Sequence, residues 1–186
     1  MNWGEIRQTA LDKLDGPDRL MEAEYLPRMV QAANEGLALL ATAGLPIWKR
    51  ARIQAEGEPI DLPQALPGFW RLETVSRVGP GQAGPTLHYR REGNFLWLDE
   101  GEYDAVYCAL EQPVDQRTPD SHVFELEEDA LALLPLYIAS QLYKHDNAQL
   151  AVLWRNEFEA GRELLQLRER ERRGGLGWAE FEARPF

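Results

Sequence analysis

Apolar positions recur along this chain with two different periods, and the switch between them divides it. Trp3, Ile6, Ala10 and Leu14 lie three or four residues apart, the spacing of one helical face. Asn2 and Glu5, three residues on, make a capping-box pair in which each side chain takes a free backbone N–H of the first turn. A first helix is therefore expected to run to about Leu14 and to stop before Gly16-Pro17. Leu26, Val30, Ala33, Leu37 and Leu40 set the stripe of a second helix, with Pro27 tolerable only in its first turn and Gly44-Leu45-Pro46 as its stop.

From about Ile47 prolines and glycines become frequent, and the apolar residues fall into short runs of β-branched and aromatic character. Strands are expected at 48–54, 69–78, 86–90, 95–98 and 103–110. Arg91-Glu92-Gly93-Asn94 reads as a hairpin turn, because Gly and Asn accept positive φ cheaply. In the last run Tyr103, Ala105, Tyr107 and Ala109 share one face, with Val106, Cys108 and Leu110 on the other, so this strand should be covered on both sides. Residues 112–121, with two prolines, read as an exit loop.

Helical spacing returns at Leu131, Leu134, Ile138 and Leu142, behind Glu127, Glu128 and Asp129, which suit the positive end of a helix dipole. Pro135 lies too deep to ignore and implies a kink or a restarted helix. Asp146 with Gln149 marks the next start, and Ala151, Trp154, Phe158, Gly161 and Leu165 follow at three and four. Ala151 and Gly161 are small enough to admit a partner helix closely, while Trp154 and Phe158 supply most of the buried area. Arg168, Arg170, Arg172 and Arg173 place cations at the negative helix end, before Gly174-Gly175. The tail 176–186 carries Trp178, Phe181 and Phe186 without a clear period and is expected to be flexible until a partner orders it.

The expected fold is α+β: two N-terminal helices (1–46) and two C-terminal helices (122–173) closing a mainly helical bundle, an inserted antiparallel β region (47–121), and a flexible tail (174–186). Composition agrees with a folded chain. Of 186 residues 44% are hydrophobic and 27% charged, outside the range of disordered sequences. Thirty-one acidic against 20 basic residues give a net charge of −11, which argues against a general nucleic-acid binder. The single cysteine, Cys108, excludes an internal disulfide framework and reads as a small buried apolar residue. No apolar run approaches the roughly 18–20 residues of a membrane span, and Met1-Asn2-Trp3-Gly4-Glu5 lacks the features of a signal peptide, so a soluble protein made in the cytoplasm is expected.

Candidate chemistry is thin. His88, His122 and His145 form no helical His-x-x-x-His pair, so no metal is expected; His145 with Asp146 could make a catalytic dyad, against the plainer reading of a helix end followed by a capping residue. Asp99, Glu100, Glu102 and Asp104 lack the order of a calcium loop and read as a solvated turn, as Glu125, Glu127, Glu128 and Asp129 read as a helix start. Gly79-Pro80-Gly81-Gln82-Ala83-Gly84-Pro85 has no Lys-Ser/Thr behind it and suits a hairpin tip over a phosphate cradle. Neither a Gly-x-Ser-x-Gly elbow nor a dinucleotide fingerprint occurs. Neither cofactor nor catalytic residue is expected. Trp70, Trp97 and Tyr89 could form a carbohydrate- or protein-binding platform if they share an exposed face, or else fill a small β core. A hydrolase using Asp99, Glu102 or His145 would need those groups to converge.

The segment Leu134-Pro135-Leu136-Tyr137-Ile138-Ala139-Ser140-Gln141-Leu142-Tyr143-Lys144, continuing through Asp146 to Trp154-Arg155-Asn156-Glu157-Phe158-Glu159, resembles the C-terminal helix pair of phage and prophage head–tail adaptor (connector) proteins. Trp3-Gly4-Glu5-Ile6 to Leu14 and Ala32-Ala33-Asn34-Glu35-Gly36-Leu37 are similar to the N-terminal helices of that group, and Glu92-Gly93-Asn94 to Gln112-Pro113, ending in Thr118-Pro119-Asp120, to its β portion. The likeness extends to about Leu167 and rests on helix-packing patterns. It implies a helical bundle with a β insertion, a ring of copies of the chain, often twelve, placed between portal and tail in the virion, DNA passing through without specific binding, and no active-site residues. Such tails commonly order when docked on the portal, which makes Trp178, Phe181, Phe186, Arg170, Arg172 and Arg173 the candidate partner-binding residues.

Overall fold

A computed structural model describes residues 1–14, 19–42, 45, 47–79 and 89–182, with side chains described outside 19–23 and 172–182. The chain forms two compact units: Met1–Leu45 with Glu111–Phe186, and Pro46–Leu110 inserted between them. The first is helical and the second contains antiparallel sheets, so the protein is α+β.

In the helical unit α1 (Trp3–Asp12) starts at the expected capping box: the Glu5 N–H donates to the Asn2 side chain at 2.9 Å and the Asn2 N–H to the Glu5 carboxylate at 2.9 Å. Trp3, Ile6 and Ala10 are wholly buried. Helix α2 (Arg19–Thr42) buries Met29, Ala32, Ala33, Leu37, Leu40 and Ala41, while Leu26 and Val30 sit half-buried at the margin of the stripe. Pro27 lies inside α2 and not in its first turn, contrary to expectation, because the helix begins earlier, at Arg19. The proline side chain is exposed, and the lost backbone bond is borne by a long helix held by tertiary packing.

Pro135 ends one helix and begins another. After α4 (Glu128–Leu131) the chain restarts as α5 (Leu134–Leu142) with Pro135 in the first turn, where a missing N–H costs nothing. Helix α5 packs against α1, α2 and α6 (Ala148–Glu182), and buries Leu134, Tyr137, Ile138, Ala139 and Leu142. Each large aliphatic side chain so buried contributes roughly 1.5–3 kcal/mol. Buried Ser140 donates its hydroxyl to the Tyr137 carbonyl at 2.7 Å. Asn147, not Asp146, caps α6, its side chain accepting from the Leu150 N–H at 3.2 Å. Gly161 lets Leu133 approach: a Cβ there would stand 2.5 Å from Leu133 Cδ2.

Two expected boundaries move. Helix α6 does not end before Gly174-Gly175 but continues to Glu182, so residues 174–182 are helical and not an unpatterned tail. A glycine costs about 1 kcal/mol in a helix, and this stretch carries three, Gly174, Gly175 and Gly177, among Arg, Glu, Leu and Ala residues that favour helix. The β insertion ends at Leu110 and not at 121, because the exit loop belongs to the helical unit. Asn34 of α2 donates to the Val114 carbonyl and accepts from its N–H, each at 2.9 Å, and the Glu111 carboxylate accepts from the backbone N–H groups of Gln112, Glu125 and Leu126.

In the sheet unit β1 (Ile47–Ala55) pairs with β6 (Gly101–Ala109) over its full length, from Ile47↔Ala109 to Ala55↔Gly101. Strand β3 (Phe69–Arg77) lies on the other side of β6, giving the order β1-β6-β3, with register shifts between Phe69 and Arg71 and between Leu72 and Thr74. A second small sheet has the order β2 (Ile60–Asp61), β5 (Phe95–Trp97), β4 (Arg90–Glu92), its hairpin turning at Gly93, φ +58°. Of the strand expected at 86–90 only Arg90 falls in β4, which instead takes in Arg91 and Glu92 of the expected turn, and 86–88 lie outside the described residues. Strand β2 and the one-turn α3 (Leu62–Ala65) are too short to leave a periodic signal. One face of central β6 is buried through Tyr103, Ala105, Tyr107 and Ala109, the two hydroxyls donating to the carbonyls of Asp99 and Pro67. On the other face Cys108 is buried but Val106 is only half-covered, because Arg50 and Arg52 reach Asp104 beside it.

Candidate functional site

The histidines and acidic groups singled out in the sequence are mostly absorbed by local structure. The carbonyl of His122 accepts from the Trp3 N–H at 2.9 Å while its ring meets Phe124 edge-on at 4.9 Å. His145 and Asp146 are both exposed, in the turn after α5, and His88 lies outside the described residues. Glu102 and Asp104 pair with Arg52, and Asp104 also with Arg50. Asp99 and Glu102 belong to the sheet unit and His145 to the helical unit. Glu127 and Asp129 are both reached by Arg168 of α6, and Glu128 by the Met1 ammonium, so this acidic run anchors the start of α4 as its dipole favours. Among the described residues no group of three or more His, Cys, Asp or Glu could hold a metal, and no helix is long and apolar enough to cross a membrane.

Cys108 sits wholly buried, with Sγ 3.4 Å from a Glu73 carboxylate oxygen that Arg71 also holds at 2.5 Å. Burial first, then the hydrogen bond to Glu73, push its thiol pKa up, against a smaller opposing pull from Arg71. The thiol is thus kept neutral and away from nucleophilic chemistry.

Trp70, Trp97 and Tyr89 are not joined by ring contacts. Trp70, half-buried, carries the Arg71 guanidinium at 5.2 Å, and Trp97, also half-buried, carries that of Arg90 at 5.4 Å. The structure pairs Trp97 instead with exposed Phe95, centroids 6.2 Å apart, on the face of the β4–β5 hairpin that also holds Arg90 and Glu92. Tyr89 is exposed just before it.

Of the candidate partner-binding residues Arg170 is exposed on α6. Arg172, Arg173, Trp178 and Phe181 lie along the same helix, with side chains outside the described residues, and Phe186 is outside them altogether, as is most of the 79–85 glycine tip. Four large apolar side chains of α6 are exposed: Val152, Leu153, Leu164 and Leu167.

One concave site assembles that the sequence did not announce. Arg28, Gln31 and Glu35, at i, i+3 and i+7 on α2, face Gln141, Lys144 and His145 at the end of α5 around a cleft of about 260 Å³. Both oxygens of Glu35 are engaged, one by Gln31 Nε2 at 3.0 Å and the other by the Tyr137 hydroxyl at 3.2 Å. Burial raises the Tyr137 pKa, so the phenol keeps the proton it donates, and the Arg155 guanidinium covers its ring at 4.9 Å. Among the described residues Arg28 and Lys144 have no counter-ion. The cleft therefore holds two unpaired cations, Arg28 and Lys144, against the one carboxylate of Glu35, and suits an anionic group at its outer lip. The i, i+3, i+7 spacing on α2 was visible beforehand, but not that α5 would bring Lys144 and His145 opposite it. Compared with protein-family models and with curated proteins, the chain matches none.

Proposed function

We propose that this chain is a structural protein of a tailed phage or prophage particle, a head–tail adaptor that assembles as a ring with copies of itself between portal and tail, is made in the bacterial cytoplasm, and performs no chemistry. The observation that carries the reading is the interrupted architecture: a helical unit opened between Leu45 and Glu111 by an antiparallel sheet unit, the arrangement that the adaptor resemblance implies. In this reading α1, α2, α5 and α6 are the bundle closed by both ends of the chain, and the exposed apolar residues of α6, with the arginines and aromatics beyond them, face the portal or a neighbouring copy. Electron microscopy of portal complexes tests it. A ring containing this chain, seated on the portal, is the expected result, and absence of the chain from purified portal–tail assemblies would refute the assignment.

The cluster of exposed Phe95 and Arg90 with half-buried Trp97 favours a second reading, a non-catalytic module that recognises carbohydrate or a protein through its β insertion. Quenching of Trp97 fluorescence by a glycan or peptide, lost in Trp97→Ala, would favour it over the adaptor.

A further inference from the structure

The helical unit's cleft has a counterpart in the sheet unit. Ala55↔Gly101 is the last pair of the β1–β6 ladder, and the chain leaves it on both sides through carboxylates: Glu56 and Glu58 after β1, Asp99 and Glu100 before β6. The two turns lie side by side, since a Cβ at Gly57 would stand 3.8 Å from Glu100 Cγ. All four carboxylate residues are exposed. The backbone carbonyls of Asp99 and Glu100 are taken by the Tyr103 hydroxyl and by Arg77, but among the described residues the four carboxylates themselves have no partner. One end of the sheet unit is thus a tip of unpaired carboxylates, and the cleft carries two unpaired cations, Arg28 and Lys144, against the single carboxylate of Glu35.

We propose that the acidic tip of one copy docks in the basic cleft of the next. This rests on the reading that the chain assembles with copies of itself, and it assigns the contact. The cleft's volume of about 260 Å³ falls below the roughly 300–1,000 Å³ of small-molecule sites, which suits side chains presented by a narrow turn. Glu35, the one carboxylate inside it, keeps its charge but is held in place by Gln31 and Tyr137, and Arg28 and Lys144 outnumber it to meet the incoming carboxylates. Tip and cleft are different surfaces of the same chain, so the contact is heterologous: every copy keeps one free end, and the series closes as a ring or runs on as a filament. Complementary charges of this kind set register and speed encounter.

Two charge reversals test the contact by sedimentation at up to about millimolar protein and near-physiological salt. Arg28→Glu/Lys144→Glu reverses the cleft, and Glu58→Lys/Glu100→Lys reverses the tip. Each alone is expected to weaken self-association at least about tenfold. Mixing the two in equal amounts is expected to restore it, because each then offers the other a complementary face; a variant that merely failed to fold would not be rescued. The chain carrying all four changes should associate with itself but not join the wild type. A wild type that stays monomeric, or association indifferent to the reversals, or loss without rescue on mixing, overturns the proposal. Association in every one of these proteins would discard this contact and leave the ring reading standing, whereas absence from portal–tail assemblies discards the adaptor reading whatever the charge variants do.

Discussion

Glycines at two helix crossings show how single residues set the packing of the helical unit, and they differ in what a methyl group would strike. At Gly36 a Cβ would lie 2.6 Å from Leu134 Cδ1 and 3.1 Å from a ring carbon of Tyr137, both nearly or wholly buried. At Gly161 the nearest atoms are all of the Leu133 side chain, which is half-buried and can turn aside. Alanine gains about 1 kcal/mol of helix propensity at either site, and overpacking costs about 1–3 kcal/mol where neighbours cannot yield. Gly36→Ala should therefore lose about 1 kcal/mol in denaturant unfolding, while Gly161→Ala stays within about 0.5 kcal/mol of the wild type. Cys108 gives a second prediction. Its thiol pKa lies above its ordinary 9.0 in the folded chain, so above that pH the unfolded chain releases a proton that the folded chain keeps. Stability from this site is complete below pH 9.0 and declines as pH rises past it. That part of the alkaline slope should vanish in Cys108→Ala, and a thiol reagent at neutral pH should label Cys108 only when the chain unfolds. Burial of Cys108 and the close approach at Gly161 were legible from composition and spacing; the Glu73 and Arg71 contacts were not, because the β-bulges of β3 decide which residues stand opposite Cys108.

Elements with a long apolar stripe were the legible ones. Helices α1, α5 and α6, the long strands β1, β3 and β6, and the break at Pro135 follow from period and turn residues. What escaped was set by tertiary contacts. The segment after Leu110 has a loop's composition, yet Asn34 claims both polar groups of Val114 and attaches it to α2. Asn34→Ala should cost about 2 kcal/mol, since it strands a buried N–H and C=O together, and hydrogen exchange at the Val114 amide should accelerate in parallel. The sequence could not place the cleft either: Arg28 reads as a solvated helix face and Lys144-His145 as a helix end until α2 and α5 are packed together.

For the whole molecule, a charge of −11 argues against a general nucleic-acid binder, and if the chain forms the proposed ring around a genome the same charge acquires a purpose. A bore lined by carboxylates lets DNA slide, whereas a basic wall would add salt-dependent affinity at each phosphate. The chain should leave duplex DNA unshifted in gels at physiological salt, and a ring with a net basic bore would contradict the idea. The β1–β6 ladder, which begins at Ile47↔Ala109, also bears on the order in which the protein folds. The two halves of the helical unit are separated by about 65 residues of chain, a long loop to close. Once the sheet forms, its paired ends stand about 5 Å apart and the loop shrinks to a few residues, which removes about 2 kcal/mol of closure entropy. The insertion thus serves as a folding clamp for the helices on either side of it, and weakening its core with Tyr107→Ala should slow the appearance of helical circular dichroism in stopped-flow refolding.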